Sequence, residues 1–376
     1  MNRSVSKFLL VGVVPKSLLN FRGELIEAIK SQGYSVLTVS SPMSESLQQD
    51  FSVKGVDHCA VDFERNGLNP LSDLKACVAL YRLYKKEKPY KVLAYTIKPV
   101  IWGGIAARFA KVPFYALVTG LGFAFQGENV KRKLLTQLVS FLYRVALSHA
   151  SKVIFQNEDN RQLFVERGIV PFIKTEVVNG SGVDISRFGL TNLPALGNSV
   201  KFLCVARLLG EKGLREYAQA ASIVKVQYPN SQFVLVGPED SSPDGISIDE
   251  VKNWVREGAI DYAGATHDVR PFIEKAHVYV LPSYHEGLPR STIEAMAMGR
   301  PVITTDAVGC KETVSEGMNG FKVPVGDAIS LAEKMIWLIE NSDQIEPMGL
   351  ASRKMAEEKF DVHKVNARML EIMGLG

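Results

Sequence analysis

Short runs of Val, Ile and Leu, each followed by a stretch with helical spacing, recur along the whole of this 376-residue chain. In the front half such runs fall at 8–13, 35–39, 58–63, 92–95, 114–118 and 152–156, with the clearest helical stretches at 71–87 and 130–149. They are bounded by Gly, Pro or Asn and are apolar without alternation, as strands covered on both faces are. Strands alternating with helices predict parallel, doubly wound sheets, an α/β class. The rhythm pauses over 184–199, which holds Pro194, Gly197 and Asn198, and restarts at 202–206, 232–237, 260–262, 278–281 and 302–305. The length suits two cores better than one. The division expected is a Rossmann-like domain over 1–190, a second over 191–355, and a final helix over 356–376 (its helical pattern beginning near 349) crossing back to the first, with the two domains facing a central cleft.

Composition adds limits. An apolar fraction of 46% with 22% charged residues is that of a folded globular protein. The apolar run at 8–14 fits a buried first strand better than a signal peptide, and no stretch reaches the ~18–20 apolar residues that span a bilayer. A protein neither secreted nor integral is expected. Its four cysteines (Cys59, Cys77, Cys204 and Cys310) lack metal-ligand spacing and read as buried, reduced thiols. His267, His277 and His285 also follow no metal spacing. The net charge of +4 conceals an asymmetry: residues 1–195 hold 25 Lys/Arg against 15 Asp/Glu, and residues 196–376 hold 19 against 25. A basic front half suggests an anionic partner surface. Arg82, Lys85, Lys86, Lys88 and Lys91 crowd one helix end, and Lys131–Lys133 precede Leu134, Leu135 and Leu138 as in a basic amphipathic helix. A solvated face fits these clusters equally well. Nucleic acid is disfavoured, because no aromatics are interleaved with the charges. The run 141–143 reads as core.

Two segments carry chemistry. Residues 279–301, YVLPSYHEGLPRSTIEAMAMGRP, run from a buried strand through Glu286 on a loop, past Pro289 as a first-turn residue, into a helix carrying Glu294. The amides around Gly287, Leu288 and Arg290 then form a positive helix start suited to phosphate or sugar oxygens. Ionised carboxylates accept from vicinal hydroxyls. On spacing alone, Glu286 equally fits a helix cap and Glu294 an exposed helix charge. Residues 202–213, FLCVARLLGEKG, place Arg207 and Lys212 at a strand's carboxyl end, where an Arg fork and a Lys point charge suit a diphosphate. A surface ion pair between Lys212 and Glu211 is the plainer reading.

Taken together, VAR…KG at 205–213, GATHD at 264–268, LPS…Glu286…Glu294 and MGRPVI at 298–303 resemble the retaining glycosyltransferases of family 4, which have the GT-B fold. The motifs VIFQNED at 153–159, GSGVDISRF at 180–188 and TGLG at 119–122 are similar to the bacterial capsule and O-antigen branch. The resemblance covers nearly the whole chain. It implies that Arg207 and Lys212 neutralise a departing nucleotide diphosphate, that Glu286 contacts the donor sugar and Glu294 the ribose. Gly287, Leu288 and Pro289 would support sugar and phosphate, Gly264 and Ala265 would frame the base, and Gly12 would approach the donor. It implies no metal or other cofactor. The implied partners are a UDP-sugar donor carrying a hexose or N-acetylhexosamine, a polyprenyl-diphosphate-linked saccharide acceptor, and the cytoplasmic face of the inner membrane as a peripheral site. One departure stands out: where many relatives have a His after the fourth strand, this chain reads AYTIKP. Lys98, with Tyr95 or Thr96, is the candidate there for donor phosphates or acceptor; Arg22 and Gly120 complete the cleft candidates. The first loop is not GxGxxG, which disfavours a dinucleotide. The rival readings are a nucleotide-sugar epimerase on the same fold and a non-catalytic module that binds sugar nucleotides.

Overall fold

A computed structural model describes residues 6–64, 69–121, 125, 130–196 and 199–376, with backbone only for 130–132. The chain forms two compact units, one of Met1–Ser181 with His363–Gly376 and the other of Gly182–Val362.

The first unit holds strands β1 (Lys7–Val11), β2 (Ser35–Ser40), β3 (Asp57–Ala60), β4 (Lys91–Tyr95), β5 (Phe114–Val118), β6 (Lys152–Phe155) and β7 (Thr175–Val177). Its helices are α1 (Pro15–Ser31), α2 (Glu45–Val53), α3 (Pro70–Glu87), α4 (Ile97–Ala110), α5 (Val130–Leu147) and α6 (Glu158–Glu166). The sheet is parallel in the order β3-β2-β1-β4-β5-β6-β7. Alternate residues of one strand feed two cores. Leu9 and Val11 pack with Ala76, Leu80, Val100, Val139 and Phe164 of α3 to α6, while Phe8 and Leu10 pack with Leu18, Leu25 and Ile26 of α1 and Phe51 of α2. This two-sided burial is why the strands read as unbroken apolar runs.

The second unit holds β8 (Lys201–Val205), β9 (Gln232–Val236), β10 (Asp261–Tyr262), β11 (Val278–Leu281), β12 (Val302–Thr305) and β13 (Gly320–Val323). Its helices are α7 (Leu214–Gln227), α8 (Ile248–Arg256), α9 (Arg270–Glu274), α10 (Arg290–Ala297), α11 (Ala328–Glu340) and α12 (Ile345–Met355). Its parallel sheet runs β10-β9-β8-β11-β12-β13, the same winding as the first.

Several expectations need correction. β7 and β13 were not legible, the first having only three residues and the second opening on Gly320. The single final helix is two helices. α12 passes through a π turn at Ala356–Phe360, and α13 (Val362–Met373) starts after Asp361, whose ψ of 124° is not helical. The break has a cause: Val183 inserts there, donating to the Phe360 carbonyl at 2.8 Å and accepting from Val362 N–H at 3.0 Å. Met369, Leu370 and Met373 of α13 join the core of the first unit, and buried Lys91 donates to the Met373 and Gly374 carbonyls at 2.5 and 2.8 Å. Lys91 therefore leaves the exposed basic cluster. Phe141 also departs from expectation, being 56% exposed while Tyr143 is buried. The cysteines are unpaired, and Cys59 is only half-buried. His277 is an ordinary core histidine whose Nδ1 accepts from Lys201 N–H at 2.9 Å. Among the described residues, no helix is long and apolar enough to cross a membrane.

Candidate functional site

In the second unit, β8 and β11 are neighbours at the point where strand order reverses. Such switch points are where open α/β sheets bind ligands. The loop after β8 makes a 3-10 turn at Gly210–Lys212 and enters α7 through Gly213. Gly213 has φ 68°, and a Cβ there would stand 2.0 Å from the Pro282 carbonyl oxygen; only glycine lets the two loops meet this closely. Tyr284 N–H and Ser283 Oγ both donate to the Glu211 carbonyl, at 2.8 and 3.0 Å, and fasten the loops together.

This junction brings Lys212 Nζ to 2.8 Å from Glu286 Oε1 and 3.5 Å from Glu211 Oε1. The Lys212 and Glu286 side chains are only 12% and 18% exposed. Burial alone would lower the Lys212 pKa, but Glu286 and Glu211 outweigh it and hold the ammonium above its ordinary value. Lys212 is thus a permanently charged group with three donors, of which one carboxylate oxygen takes one. Arg207, also at the β8 end, is exposed and pairs with Asp240 in the loop after β9. Burial pushes the Asp240 carboxyl up, yet the Ser242 hydroxyl and N–H, with Arg207, bring it down to about 2.

Glu294 lies within α10 and is neither exposed nor a cap. Its side chain is 12% exposed and accepts from Arg290 Nε at 2.8 Å, one helical turn away. Burial raises its pKa; Arg290 and Arg187 pull it back, and Asp268 pushes it up. Asp268 in turn holds Arg270, with Nη2 to Oδ2 at 2.7 Å. Glu286 is not a helix cap either. The residue before α10 is Pro289, and no side chain caps that end. Pro289 therefore sits one position earlier than the sequence suggested, and α10 begins at Arg290 with no side-chain cap on its positive end. Beneath, the Tyr279 hydroxyl lies 2.6 Å from Ser291 Oγ and 3.2 Å from the Val205 carbonyl, tying the start of α10 to the end of β8. Gly287 and Pro289 are buried, and Leu288 is half-buried. Gly264, with φ 74°, accepts from Gly237 N–H at 2.9 Å, and Ala265 beside it is exposed.

The first unit treats its candidates differently. Gly12 donates its N–H to the Val39 carbonyl at 2.9 Å, and a Cβ on it would lie 2.5 Å from the Tyr95 ring. Tyr95 is buried, its hydroxyl 2.7 Å from Ser17 Oγ, and Arg22 stacks over its ring at 5.3 Å. Lys98 pairs with Asp73 of α3, Nζ to Oδ1 2.8 Å, both side chains largely buried and not aligned for a hydrogen bond. Thr96 begins α4 at φ 68°, an unusual backbone for a β-branched residue, and its buried Oγ1 has no partner among the described residues. Gly120 lies two residues past β5, half-buried; Gly122 of the same motif is outside the described residues.

Sequence reading missed Asp240, Arg187 and Arg270, and the side-chain roles of Arg290 and Asp268 beside Glu294. Arg290 had a readable signal, four residues before Glu294 on one helix face. Asp240 had only its position after a central strand. The others are brought in by loops distant in sequence.

Two family models match: "Glycosyl transferases group 1" over residues 199–341 and "Glycosyl transferase 4-like" over residues 15–157. The chain is 29% identical to the N,N'-diacetylbacillosaminyl-diphospho-undecaprenol alpha-1,3-N-acetylgalactosaminyltransferase of Campylobacter jejuni, covering 86% of this chain and 87% of that protein. It is 29% identical to the Escherichia coli UDP-Gal:alpha-D-GlcNAc-diphosphoundecaprenol alpha-1,3-galactosyltransferase, over 71% and 70% of the two chains. Among solved structures, Anabaena HepE in complex with UDP and glucose superposes with a TM-score of 0.77 at 19% identity, covering 98% of this chain and 99% of that one. The architecture is that of GT-B proteins.

Proposed function

We propose that this chain, which belongs to the group 1 glycosyltransferases of the family 4 type, moves a hexose or N-acetylhexosamine from a UDP-sugar to a polyprenyl-diphosphate-linked saccharide in surface polysaccharide or glycan assembly. The observation that carries this reading is the Lys212–Glu286 pair at 2.8 Å beside Arg207 and the uncapped start of α10, all at one switch point. The relatives named above act, by their names, on diphospho-undecaprenol saccharides, which supports the acceptor class.

In this reading the donor diphosphate lies over Lys212 and Arg207, with the α10 amides donating to phosphate and sugar oxygens. Glu286 turns toward the donor sugar and Glu294 accepts from ribose hydroxyls, while Gly264 and Ala265 border the base. With retention, the acceptor oxygen attacks on the face from which the diphosphate leaves, and its proton passes to the departing phosphate oxygen. No metal is assigned a role. What the side chains supply is charge stabilisation of the leaving group, the interaction that grows in the transition state. The site of action is the cytoplasmic face of the inner membrane, where the protein is peripheral.

The test is UDP release from UDP-sugars with and without a lipid-diphosphate saccharide. Acceptor-dependent release with a glycosylated product is expected. A free sugar isomer formed without acceptor would point to an epimerase, and binding without turnover to a non-catalytic module.

A further inference from the structure

The outer face of the helix layer α3–α4–α5 has an unusual composition. α3 exposes Leu71, Leu74, Val78 and Tyr81 by 73%, 56%, 39% and 37%, at spacings of three and four that share one face. α5 exposes Leu134, Leu138 and Phe141 in the same pattern, by 68%, 50% and 56%. α4 packs between the two and carries in its last turn Phe109, which is 69% exposed. These helices are not short of core residues, since Leu80, Tyr84, Val139 and Tyr143 fill the sheet side. They are apolar on both sides. Single exposed apolar residues carry no meaning, but rows on two helices of one layer do.

The charge of the same layer is as one-sided. The three helices contain ten Lys/Arg and two Asp/Glu. Both carboxylates are engaged, Asp73 with Lys98 at 2.8 Å and Glu87 with Lys7 at 2.5 Å. Lys75, Arg82, Lys85 and Lys133 stand exposed beside the apolar rows. A second copy of the chain on this face would set like charge against like. A surface of anionic headgroups over acyl chains matches both the cations and the aliphatic rows.

We propose that this face rests on a bilayer containing anionic phospholipid, with Leu71, Leu74, Leu134 and Leu138 entering the headgroup boundary and the basic side chains between them meeting lipid phosphates. The inference deepens, and rests on, the reading of a lipid-linked acceptor. It names the surface by which the enzyme meets that acceptor's membrane.

Co-sedimentation of the full chain with phosphatidylcholine vesicles, with and without phosphatidylglycerol, tests it. The parent is expected to bind the anionic vesicles. The triple variant Leu71→Ser, Leu74→Ser, Leu134→Ser and the pair Lys75→Glu, Arg82→Glu should each lose about tenfold in binding. Val226→Ser, at an 88% exposed residue of α7, should bind like the parent. All variants should release UDP at the parental rate with a short-chain, water-soluble acceptor, and the first two should slow with acceptor in vesicles. Parental binding by both variants overturns the proposal, as does a parent that ignores anionic vesicles. So does a parent that is a dimer in solution and that these substitutions make monomeric. Absence of UDP release with any acceptor would sink the transferase reading alone, while the vesicle arms still judge the surface.

Discussion

The two sheets wind alike around their first strands, β3-β2-β1-β4 and β10-β9-β8-β11, yet their switch points are finished in opposite ways. In the first unit the place above β1 and β4 is occupied by Tyr95, which presses on Gly12, bonds Ser17 and carries Arg22 on its ring. In the second unit the corresponding place holds Lys212 and Glu286 in a buried pair, with Arg207 exposed beside them. An aromatic plug stabilises through burial and asks nothing of a ligand. A buried Lys–Glu pair is a poor source of stability, because desolvation offsets most of its attraction. Placed under an uncapped helix start, it makes sense as a device for holding charge. Identical topology therefore does not imply identical work; the residues at the strand ends decide it.

The comparison breaks most visibly at Lys212. Lys212→Ala should lower kcat/KM for acceptor-dependent UDP release about 10²-fold, equivalent to ~3 kcal/mol of transition-state stabilisation. Steady-state kinetics measures this, and a variant within threefold of the parent would remove the distinction between the two switch points. Next in size is Lys98→Ala, which strands Asp73 as a lone buried carboxylate and should cost roughly 2 kcal/mol of stability in denaturant titration. Asp73→Asn with Lys98→Met should recover part of it. A raised acceptor KM with unchanged stability would instead return Lys98 to the chemistry.

Arg290→Gln sharpens the account through pH. Burial holds the Glu294 pKa above its ordinary value of 4.5, and Arg290 opposes that rise. Ribose hydroxyls need the ionised form, so donor binding should fall as pH drops through this raised pKa. Losing Arg290 should move that acid limb to higher pH in a titration of donor affinity. A limb that stays in place, or moves down, contradicts the assignment. The smallest effect belongs to the plugged switch point: Ser17→Ala removes the hydrogen bond to Tyr95 and should cost about 1 kcal/mol of stability. Donor affinity should be unchanged.

Much of the fold is legible in the amino-acid sequence. Strands buried on both faces announce themselves as unbroken apolar runs, so most of each sheet could be read, whereas the three-residue β7 could not. Arg207, Lys212, Glu286 and Glu294 stand out in the sequence as candidates because each follows a strand end or helix start in a short, readable segment, and the structure shows their packing and pairing. The partners that set their electrostatics do not stand out. Asp240 reaches Arg207 across 33 residues of sequence. Lys98 reads in sequence as a candidate for donor phosphates or acceptor, and nothing in the AYTIKP loop reveals that α3 pairs it with Asp73. The break in the last helix was hidden for the same reason, since its cause, Val183, lies far away in the chain.

The most direct measurement is calorimetric titration of UDP into the full chain and into an Arg207→Ala, Lys212→Ala, Glu294→Ala variant shown by circular dichroism to be folded. The account predicts saturable binding by the parent and at least about a hundredfold weaker binding by the variant. Equal affinities would mean that the nucleotide is held elsewhere, and the charged switch point of the second unit would lose its role.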